Sequence, residues 1–339
     1  MVASTFTCGD ANSGHVKPRT PRSCLLYTSL SLRTPVDERP VRIVSAQQSV
    51  VSQFKSIWET RELLRHLVFS EIKIKYKASK LGVVWSMFNP ALTLAIYYLV
   101  FHIIVNNGVP QFVIFLSAGL LVWNFVINSV STSTGIVVDR AGIVKKVAFP
   151  REILAFSTIG TSLVYFGIQL GVTALYMVIV HQAPIWSMLW ILPISLLALC
   201  LICGAIGLFL SAVNVYMRDT RHFVDVFLML WFWLTPIVYS YQHTVATKLH
   251  SHVLLGIHLN DIFFINPVTP IVMTFQKVLY AHAYVRATTP DHSILNMLPN
   301  WSEGSYVTMN LILVGVGAAA LLVALKIFGR LEGNFAEEL

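Results

Sequence analysis

The chain has 339 residues, of which 55% are hydrophobic and only 12% are charged, and its formal net charge is +8. Soluble proteins usually carry about twice this fraction of charged residues, so the composition predicts a polytopic membrane protein and argues against a soluble enzyme. A basic chain can also bind nucleic acid, and the position of the charges along the sequence decides between these explanations.

The first 82 residues divide into two segments. Residues 1–50 are rich in Ser, Thr, Arg and Pro, which predicts a disordered cytoplasmic tail without a signal peptide, although a transit peptide is an alternative. Residues 51–82 are predicted to contain an amphipathic interfacial helix that lies on the membrane or packs on a soluble partner. Its apolar face comprises Phe54, Ile57, Trp58, Leu64, Val68 and Ile72, with Lys55, Arg61, Arg65 and Lys73 directed elsewhere.

Six apolar runs are long enough to cross a bilayer as helices, so residues 83–330 are predicted to form an all-α, six-span domain, followed by a cytoplasmic tail at 331–339. Prolines inside the runs, at Pro90, Pro193 and Pro236, are expected to kink the helices. The runs lie near 83–105, 112–131, 153–180, 185–213, 222–240 and 306–326.

The segment between the fifth and sixth runs is mostly polar, but Ile262–Ile265 and Ile271–Tyr280 are apolar and too short to span. We predict that these two stretches form short re-entrant helices at the outer membrane face.

The basic residues follow the membrane topology. If both termini are cytoplasmic and the chain crosses six times, 21 of its 24 Lys and Arg residues fall on the inner side. This distribution matches the excess of positive residues in cytoplasmic loops of inner and plasma membrane proteins. The net charge therefore indicates orientation in the membrane rather than binding of nucleic acid.

The predicted spans carry almost no ionisable groups, Asp225 being the single carboxylate. Transport driven by an ion gradient usually needs such groups, so a proton- or sodium-coupled transporter is disfavoured. No GxxxxGK[ST] motif occurs, so energy must come from another chain. The chain is predicted to have no catalytic residue, cofactor or metal site of its own. Two alternatives are a membrane-embedded transferase using His222 and Asp225, and a metal site at His250 and His252.

The third run carries polar side chains on one face and glycines on the other. The polar face is either the lining of a channel or a set of interhelical contacts, and both remain open. It consists of Thr158, Ser162, Tyr165, Gln169, Thr173 and Tyr176, and the opposite face contains Gly160, Gly167 and Gly171. Cys200 and Cys203 recur with small residues at helical spacing, which predicts a packing surface rather than a redox site.

Uncharged aromatic rings suit the apolar faces of sugar rings, although each ring could equally fill a core or a membrane interface. Together with the polar face of the third run, they provide the candidate substrate channel. The candidates are Trp85, Tyr97, Tyr98, Phe101, Trp123, Ser162, Tyr165, Gln169, Phe227 and Trp231.

Several short motifs occur in one order along residues 54–339, and through them the chain resembles the membrane subunit of ABC-2 type exporters. The branch it resembles most exports O-antigen, teichoic acid, capsule and galactan polymers. The motifs are Arg61-Glu-Leu-Leu, Lys75-Tyr-Lys-Ala-Ser-Lys-Leu-Gly-Val-Val-Trp85, Asn89-Pro90, Phe149-Pro-Arg-Glu152, Trp233-Leu-Thr-Pro236, Asn266-Pro-Val-Thr-Pro270, Phe328-Gly-Arg330 and Phe335-Ala-Glu-Glu-Leu339.

The resemblance implies a homodimer of this permease with two copies of a separate ATPase subunit, which would bind ATP and Mg. It also implies that the loop from Ser131 to Glu152 docks in the ATPase, through Asp139, Arg140, Lys145, Lys146, Arg151 and Glu152. The implied substrate is a polysaccharide, linked to a polyprenyl diphosphate lipid. Lys73, Lys75, Lys77 and Lys80 would meet that diphosphate or ordinary headgroups. The alternative within transport is an ABC-2 exporter of a small amphipathic drug or lipid.

Overall fold

Helices dominate the computed structural model of this protein. It describes residues 58–76, 84–104, 111–145, 149–239, 241, 253–254, 257–258, 263, 265–280, 284–286, 294–296, 298–299 and 301–339. The helices in chain order are α1 (Arg61–Tyr76), α2 (Val84–Tyr98), α3 (Phe112–Asp139), α4 (Ala141–Val144), α5 (Glu152–Ile179), α6 (Ile191–Tyr216), α7 (Thr220–Trp233), α8 (Val268–Tyr280), α9 (Glu303–Leu331) and α10 (Phe335–Glu338).

Short irregular elements complete the chain. A π-helix, Leu99–Ile104, continues α2, and 3-10 turns occupy Trp186–Met188 and Glu332–Asn334. The segment between α7 and α9 also contains two small antiparallel hairpins that the sequence did not predict. They pair β1 (Val253–Leu254) with β2 (Ile257–His258), and β3 (Tyr284–Arg286) with β4 (Ile294–Asn296).

Four helical segments are long and apolar enough to cross a membrane, which confirms a multi-pass helical protein. They are α3, α5, α6 and the stretch Glu303–Asn334 that begins with α9. Helices α2 and α7 lie where the first and fifth spans were predicted, but α7 has 14 residues and is about 21 Å long at about 1.5 Å per residue. The number of six crossings therefore stays a prediction.

Two of the predicted kinks are wrong, and both errors involve helix ends. Pro193 lies in the first turn of α6, which begins at Ile191, and a proline there removes no hydrogen bond. Helix α7 ends at Trp233, before Pro236, so the helix does not continue to residue 240. Residues 235–238 after it are buried without being helical. Pro90 does lie inside α2, as predicted.

Helix α3 is the centre of the bundle, because other helices cover most of its length. Its aromatic side chains start a chain of edge-to-face ring contacts, the geometry that aromatic rings prefer. Phe125 meets Phe166 on α5 at 6.0 Å between ring centroids, and Phe166 meets Phe275 on α8 at 5.7 Å. The same core explains why α8 is a short helix buried almost throughout. It confirms a helix at Ile271–Tyr280, and its re-entrant position in a membrane stays a prediction. Most of Ile262–Ile265 lies outside the described residues.

Small residues let α6 approach its neighbours closely, as predicted for the helix that carries the two cysteines. A methyl group at Gly207 would lie 2.7 Å from the Cβ of Ser133 on α3, and one at Gly317 on α9 would lie 2.9 Å from the Cβ of Leu201 on α6. Cys203 is 1% exposed within this packing, and both Cys200 and Cys203 are free thiols. The small-residue pattern on α6 therefore serves helix packing.

The ends of the helices gather at two opposite ends of the bundle. At the first, which we call the charged end, Arg221 on α7 pairs with Asp139 on α3 at 3.5 Å, and Arg151 before α5 pairs with Glu332 after α9 at 3.7 Å. At the other, which we call the far end, the Ser187 hydroxyl donates to Glu303 at 3.1 Å. Successive long helices therefore run between these two ends.

Helix α1 is amphipathic, as predicted, and packs on α5 at the charged end. Leu64, Val68 and Ile72 are half-buried, whereas Arg61, Arg65 and Lys73 are exposed. Trp58, predicted on the apolar face, is instead 72% exposed, because it precedes the part of the helix that contacts α5. Phe54 and Ile57 lie outside the described residues.

The last nine residues, predicted as a tail, pack against the charged end. Phe335 is fully buried and its ring meets Phe328 at 5.4 Å and Tyr216 at 6.0 Å. The Tyr216 hydroxyl also donates to the Leu331 carbonyl at 2.8 Å. This segment is therefore part of the folded core.

Candidate functional site

A groove of about 410 Å³ lies between α2, α3 and α7, and we call it the aromatic groove. Its walls combine aromatic, aliphatic and polar side chains on three helices. The lining residues are Thr93, Tyr97, Leu120, Trp123, Asn124, Ile127, Asp225, Leu228, Met229, Phe232 and Trp233.

The rings of the aromatic groove are held in place by one another. Trp123, 2% exposed, meets Phe232 at 5.6 Å between ring centroids and Trp231 at 6.1 Å, edge to face. Trp233, 56% exposed, meets Phe232 at 5.3 Å. Because each ring is fixed by a neighbour, the groove presents preformed apolar surfaces rather than mobile side chains.

Two polar groups lie among these rings. Asp225 accepts a hydrogen bond from the Ser131 hydroxyl at 2.9 Å, and Asn124 donates one to Gln169 on α5 at 3.1 Å. A carboxylate and an amide beside ring faces are suited to a ligand that has both hydroxyl groups and apolar faces.

Trp231, a predicted channel residue, does not line the aromatic groove but packs against Trp123, which does. It is 9% exposed, and its indole N–H donates to Asn266 at 2.9 Å. Asn266 in turn donates to the Thr235 hydroxyl at 2.8 Å and accepts from the Val268 amide at 3.0 Å. This network joins the end of α7 to the start of α8, so Trp231 fixes the wall of the groove.

The structure brings only part of the predicted channel together. Tyr97 and Trp123 line the aromatic groove. Tyr98 lies instead in a second groove of about 450 Å³ between α2, α3 and α5, and Phe227 is 56% exposed on α7. The side chains of Trp85 and Phe101 lie outside the described part of the chain.

The polar face of α5 is divided between contacts with α3 and the lining of two cavities. Ser133 on α3 and Thr158 share a hydrogen bond, and Gln169 accepts from Asn124. Ser162 and Tyr165 line a cavity of about 280 Å³ between α1, α3 and α5, and Thr173 and Tyr176 line the groove between α2, α3 and α5. Both uses predicted for this face therefore occur within the chain.

The glycine face of α5 was predicted to allow close helix contact, and this is confirmed at one position only. Gly160 receives Val68 of α1, since a methyl group there would lie 2.7 Å from Val68 Cγ2. Gly167 and Gly171 have no atom of the described residues within 4 Å of an added methyl group. The GxxxG pair therefore faces away from the helices that the structure describes.

The residues predicted to couple to an ATPase all lie at the charged end where the structure describes them, but in two different settings. Asp139 and Arg140 are half-buried or exposed at the end of α3, and Lys145 is exposed. Arg151 instead donates to the Glu332 carbonyl at 2.6 Å and lies over the Phe335 ring at 5.9 Å, and Glu152 is 4% exposed. Lys146 is not among the described residues.

The lysines predicted to meet lipid headgroups are exposed where the structure describes them. Lys73 and Lys75 are exposed on α1, and Lys75 Nζ lies 4.5 Å above the ring centroid of Tyr165. Lys77 and Lys80 lie outside the described residues.

Glu71, which the sequence reasoning overlooked, is directed inward beside the lysines. Its carboxylate accepts hydrogen bonds from Thr161 at 3.0 Å and Ser157 at 3.3 Å. Burial raises the pKa of the Glu71 carboxyl, and these hydrogen bonds and the charge of Arg140 offset the rise only in part. One signal in the sequence was available: Glu71 is an acid between the apolar positions Val68 and Ile72.

Other residues of the sites were also overlooked. Asn124, Phe232 and Trp233 line the aromatic groove, and Arg221 and Glu332 hold the charged end together. Asn124, Arg221 and Glu332 pair with residues far away in the sequence, so no local pattern marks them.

Comparison with known proteins agrees with this architecture. Residues 62–280, more than half of the chain, match the family described as ABC-2 type transporter. An "O-antigen export system permease protein RfbA" of Myxococcus xanthus is 29% identical over 228 residues, which cover 67% of this chain and 84% of that protein. Two proteins of the same name from Klebsiella pneumoniae are 25% and 26% identical over 276 residues, covering 81% of this chain and 94% of each.

Proposed function

This chain belongs to the ABC-2 type transporter family, and on that premise we propose that it is the permease subunit of an ATP-driven exporter that moves a polysaccharide out of the cytoplasm. The names of its relatives, which are O-antigen export system permeases, support this substrate class. The structural observation that most supports a polysaccharide substrate is the aromatic groove, because aromatic rings beside Asn124 and Asp225 suit a polymer of neutral sugars.

The charged end of the bundle faces the cytoplasm in this proposal. Arg140, Lys145, Arg151, Arg221 and Arg330 all lie there, which agrees with the preference of basic residues for the cytoplasmic side. Helix α2 with its π-helical extension, and α7 with the buried residues after it, provide the remaining two of six crossings. Both termini then lie on the cytoplasmic side of the inner or plasma membrane.

The ATP-binding partner docks at the exposed part of the charged end. Asp139, Arg140, Lys145 and Lys146 provide the direct contact in this proposal, because the described members of the set are accessible to a second protein. Arg151 and Glu152 act indirectly in this proposal, because Arg151 is hydrogen-bonded to Glu332 and Glu152 is buried within the chain. ATP and Mg are bound by two copies of that partner.

Two copies of this chain form the conduit. The face of α7 opposite the aromatic groove carries Phe223, Phe227 and Leu230, which are more than half exposed, and in this proposal that apolar face contacts a second copy related by two-fold symmetry. Lys73 and Lys75, which are exposed on α1, would meet the diphosphate of a carrier lipid at the membrane surface together with Lys77 and Lys80.

A matched pair of tryptophan variants tests the proposed substrate path. Trp233 and Trp190 are equally exposed, at 56% and 55%, but only Trp233 lines the aromatic groove. In cells that lack the native copy, we expect Trp233→Ala to reduce surface polysaccharide about fivefold, the loss of one ring contact, and Trp190→Ala to leave it unchanged. Equal effects of both variants would contradict the groove assignment.

A second candidate function, export of a small amphipathic drug or lipid, is favoured by one observation. The groove between α2, α3 and α5 is lined mainly by apolar side chains, and its polar groups are those of Tyr98, Ser117, Thr173 and Tyr176. If this function is correct, a bulky Ala95→Trp change in that groove abolishes transport while Trp233→Ala does not.

A further inference from the structure

Helix α1 contacts the first half of α5 at three successive levels, which we call the α1–α5 contact. Val68 fits over Gly160, Glu71 accepts hydrogen bonds from Ser157 and Thr161, and Lys75 lies over the ring of Tyr165. The residues are spaced by three and four along α1, so one face of that helix makes the whole contact. A helix that merely rested on lipid would need no such complementary surface on α5.

The fit at the first level is specific to one glycine. A methyl group at Gly160 would lie 2.7 Å from Val68 Cγ2, a distance that forces atoms to shift, whereas Gly167 and Gly171 on the same helix leave open space. Because Val68 is branched at Cβ, its side chain cannot rotate freely away within a helix. The glycine therefore fixes how closely the two helices approach.

The second level fixes their register. Arg61, Arg65 and Lys73 on the outer side of α1 are exposed, whereas Glu71 is turned toward α5 and lies 3.0 Å from the Thr161 hydroxyl and 3.3 Å from the Ser157 hydroxyl. Each hydroxyl shares its single proton between Glu71 and a backbone carbonyl of α5 at 2.9 and 2.7 Å. Sliding α1 along α5 by one turn would leave a half-buried carboxylate without these donors, which is unfavourable. The two helices are thus locked at one position.

We propose that α1 and the first half of α5 move as one rigid unit during transport, and that Glu71 is the positioning residue that holds the unit together. This inference rests on the proposed function. Ser157 lies within two turns of Arg151, where the loop predicted to dock the ATPase enters α5. A movement of that loop then reaches α1, and through it the membrane surface, without any sliding between the helices.

A disulfide across the contact tests rigidity directly. A Cβ atom at position 160 would lie 3.9 Å from Val68 Cβ, which is within the range of about 3.5–4.5 Å found in disulfides. In inverted membrane vesicles that contain the full chain and its ATPase, we expect Val68→Cys/Gly160→Cys to cross-link under mild oxidation. The cross-linked protein should export labelled endogenous polysaccharide at no less than half the rate of the reduced protein.

Two results would overturn the proposal. One is failure of the double variant to cross-link, and the other is a tenfold or larger loss of export on oxidation that dithiothreitol reverses. The single variants Val68→Cys and Gly160→Cys control for folding and for the native cysteines. Absence of ATP-dependent export by the unmodified protein would instead refute the proposed function and leave the geometry of the contact unaffected.

A size exchange provides a second test that needs no oxidation. Gly160→Ala should lower the amount of polysaccharide exported per ATP hydrolysed by about tenfold, because an added methyl group overpacks the contact. Val68→Ala in the same chain removes the opposing methyl groups and should restore most of that ratio. Glu71→Ala should lower the ratio and Glu71→Gln should keep most of it. Equal ratios in all these variants would show that the contact is structural only.

Discussion

Arg151→Ala separates a structural role at the charged end from a role in docking. The side chain of Arg151, 20% exposed, pairs with Glu332 at 3.7 Å, donates to the Glu332 carbonyl at 2.6 Å and lies over the Phe335 ring. A charged hydrogen bond contributes about 1.5–3 kcal/mol and a cation–π contact about 0.5–1 kcal/mol. Since such contributions do not add fully, we expect a loss of about 2–3 kcal/mol in the free energy of unfolding.

The assay is the thermal midpoint of the protein in detergent, measured by fluorescence-detected size exclusion, together with protease cleavage of a C-terminal tag. A loss of this size should lower the midpoint by roughly 5 °C and expose the last nine residues to protease. Arg330→Ala removes an exposed arginine at the same end and should change stability by less than about 0.5 kcal/mol. An unchanged midpoint and an uncleaved tag in Arg151→Ala would refute the structural role.

Three further predictions concern packing, pH and the groove wall. Gly207→Ala places a methyl group 2.7 Å from Ser133 Cβ and should destabilise the protein by about 1–3 kcal/mol in the same thermal assay. Gly315→Ala is the control, because its methyl group would have no atom of the described residues within 4 Å, and it should be neutral or stabilising. Because burial raises the pKa of Glu71, α1 should bind α5 more firmly as the pH falls through that raised pKa and less firmly above it. Hydrogen exchange of the α1 amides should therefore slow as the pH falls, after correction for the intrinsic exchange rate. Glu71→Gln should abolish this dependence on pH. Trp231→Phe removes a donor at 2.9 Å and should cost about 1 kcal/mol in thermal unfolding; a wild-type midpoint would contradict the network.

The long helices could be predicted from the sequence because their signal is local. Helices α3, α5, α6 and α9 are apolar over 18 residues or more, and only a helix satisfies its own backbone in a membrane. The end of α7 could not be placed, because the apolar run continues to Val238 while the chain leaves the helix at Trp233. There the hydrogen bonds of Asn266 and Gln276 replace those of a helix.

Side-chain roles were harder to predict than helices, because the same residue type serves packing or binding according to its partner. The polar face of α5 was predicted, but only the folded structure shows that Thr158 and Gln169 pair with Ser133 and Asn124 on α3 while Thr173 and Tyr176 line a groove. Similarly, Arg151 was placed at the charged end from its motif, and only the folded C-terminal segment shows what it binds. Periodicity indicates a face and says nothing about what covers it.

Polymer uptake by inverted vesicles that contain this chain and its ATPase distinguishes ATP-driven export from ion-coupled transport. We expect uptake to depend on ATP, to persist when ionophores dissipate every ion gradient, and to stop when the ATPase is omitted. The reason is that the described spans offer no chain of ionisable groups for ion coupling. Uptake that is driven by an ion gradient without the ATPase would contradict it.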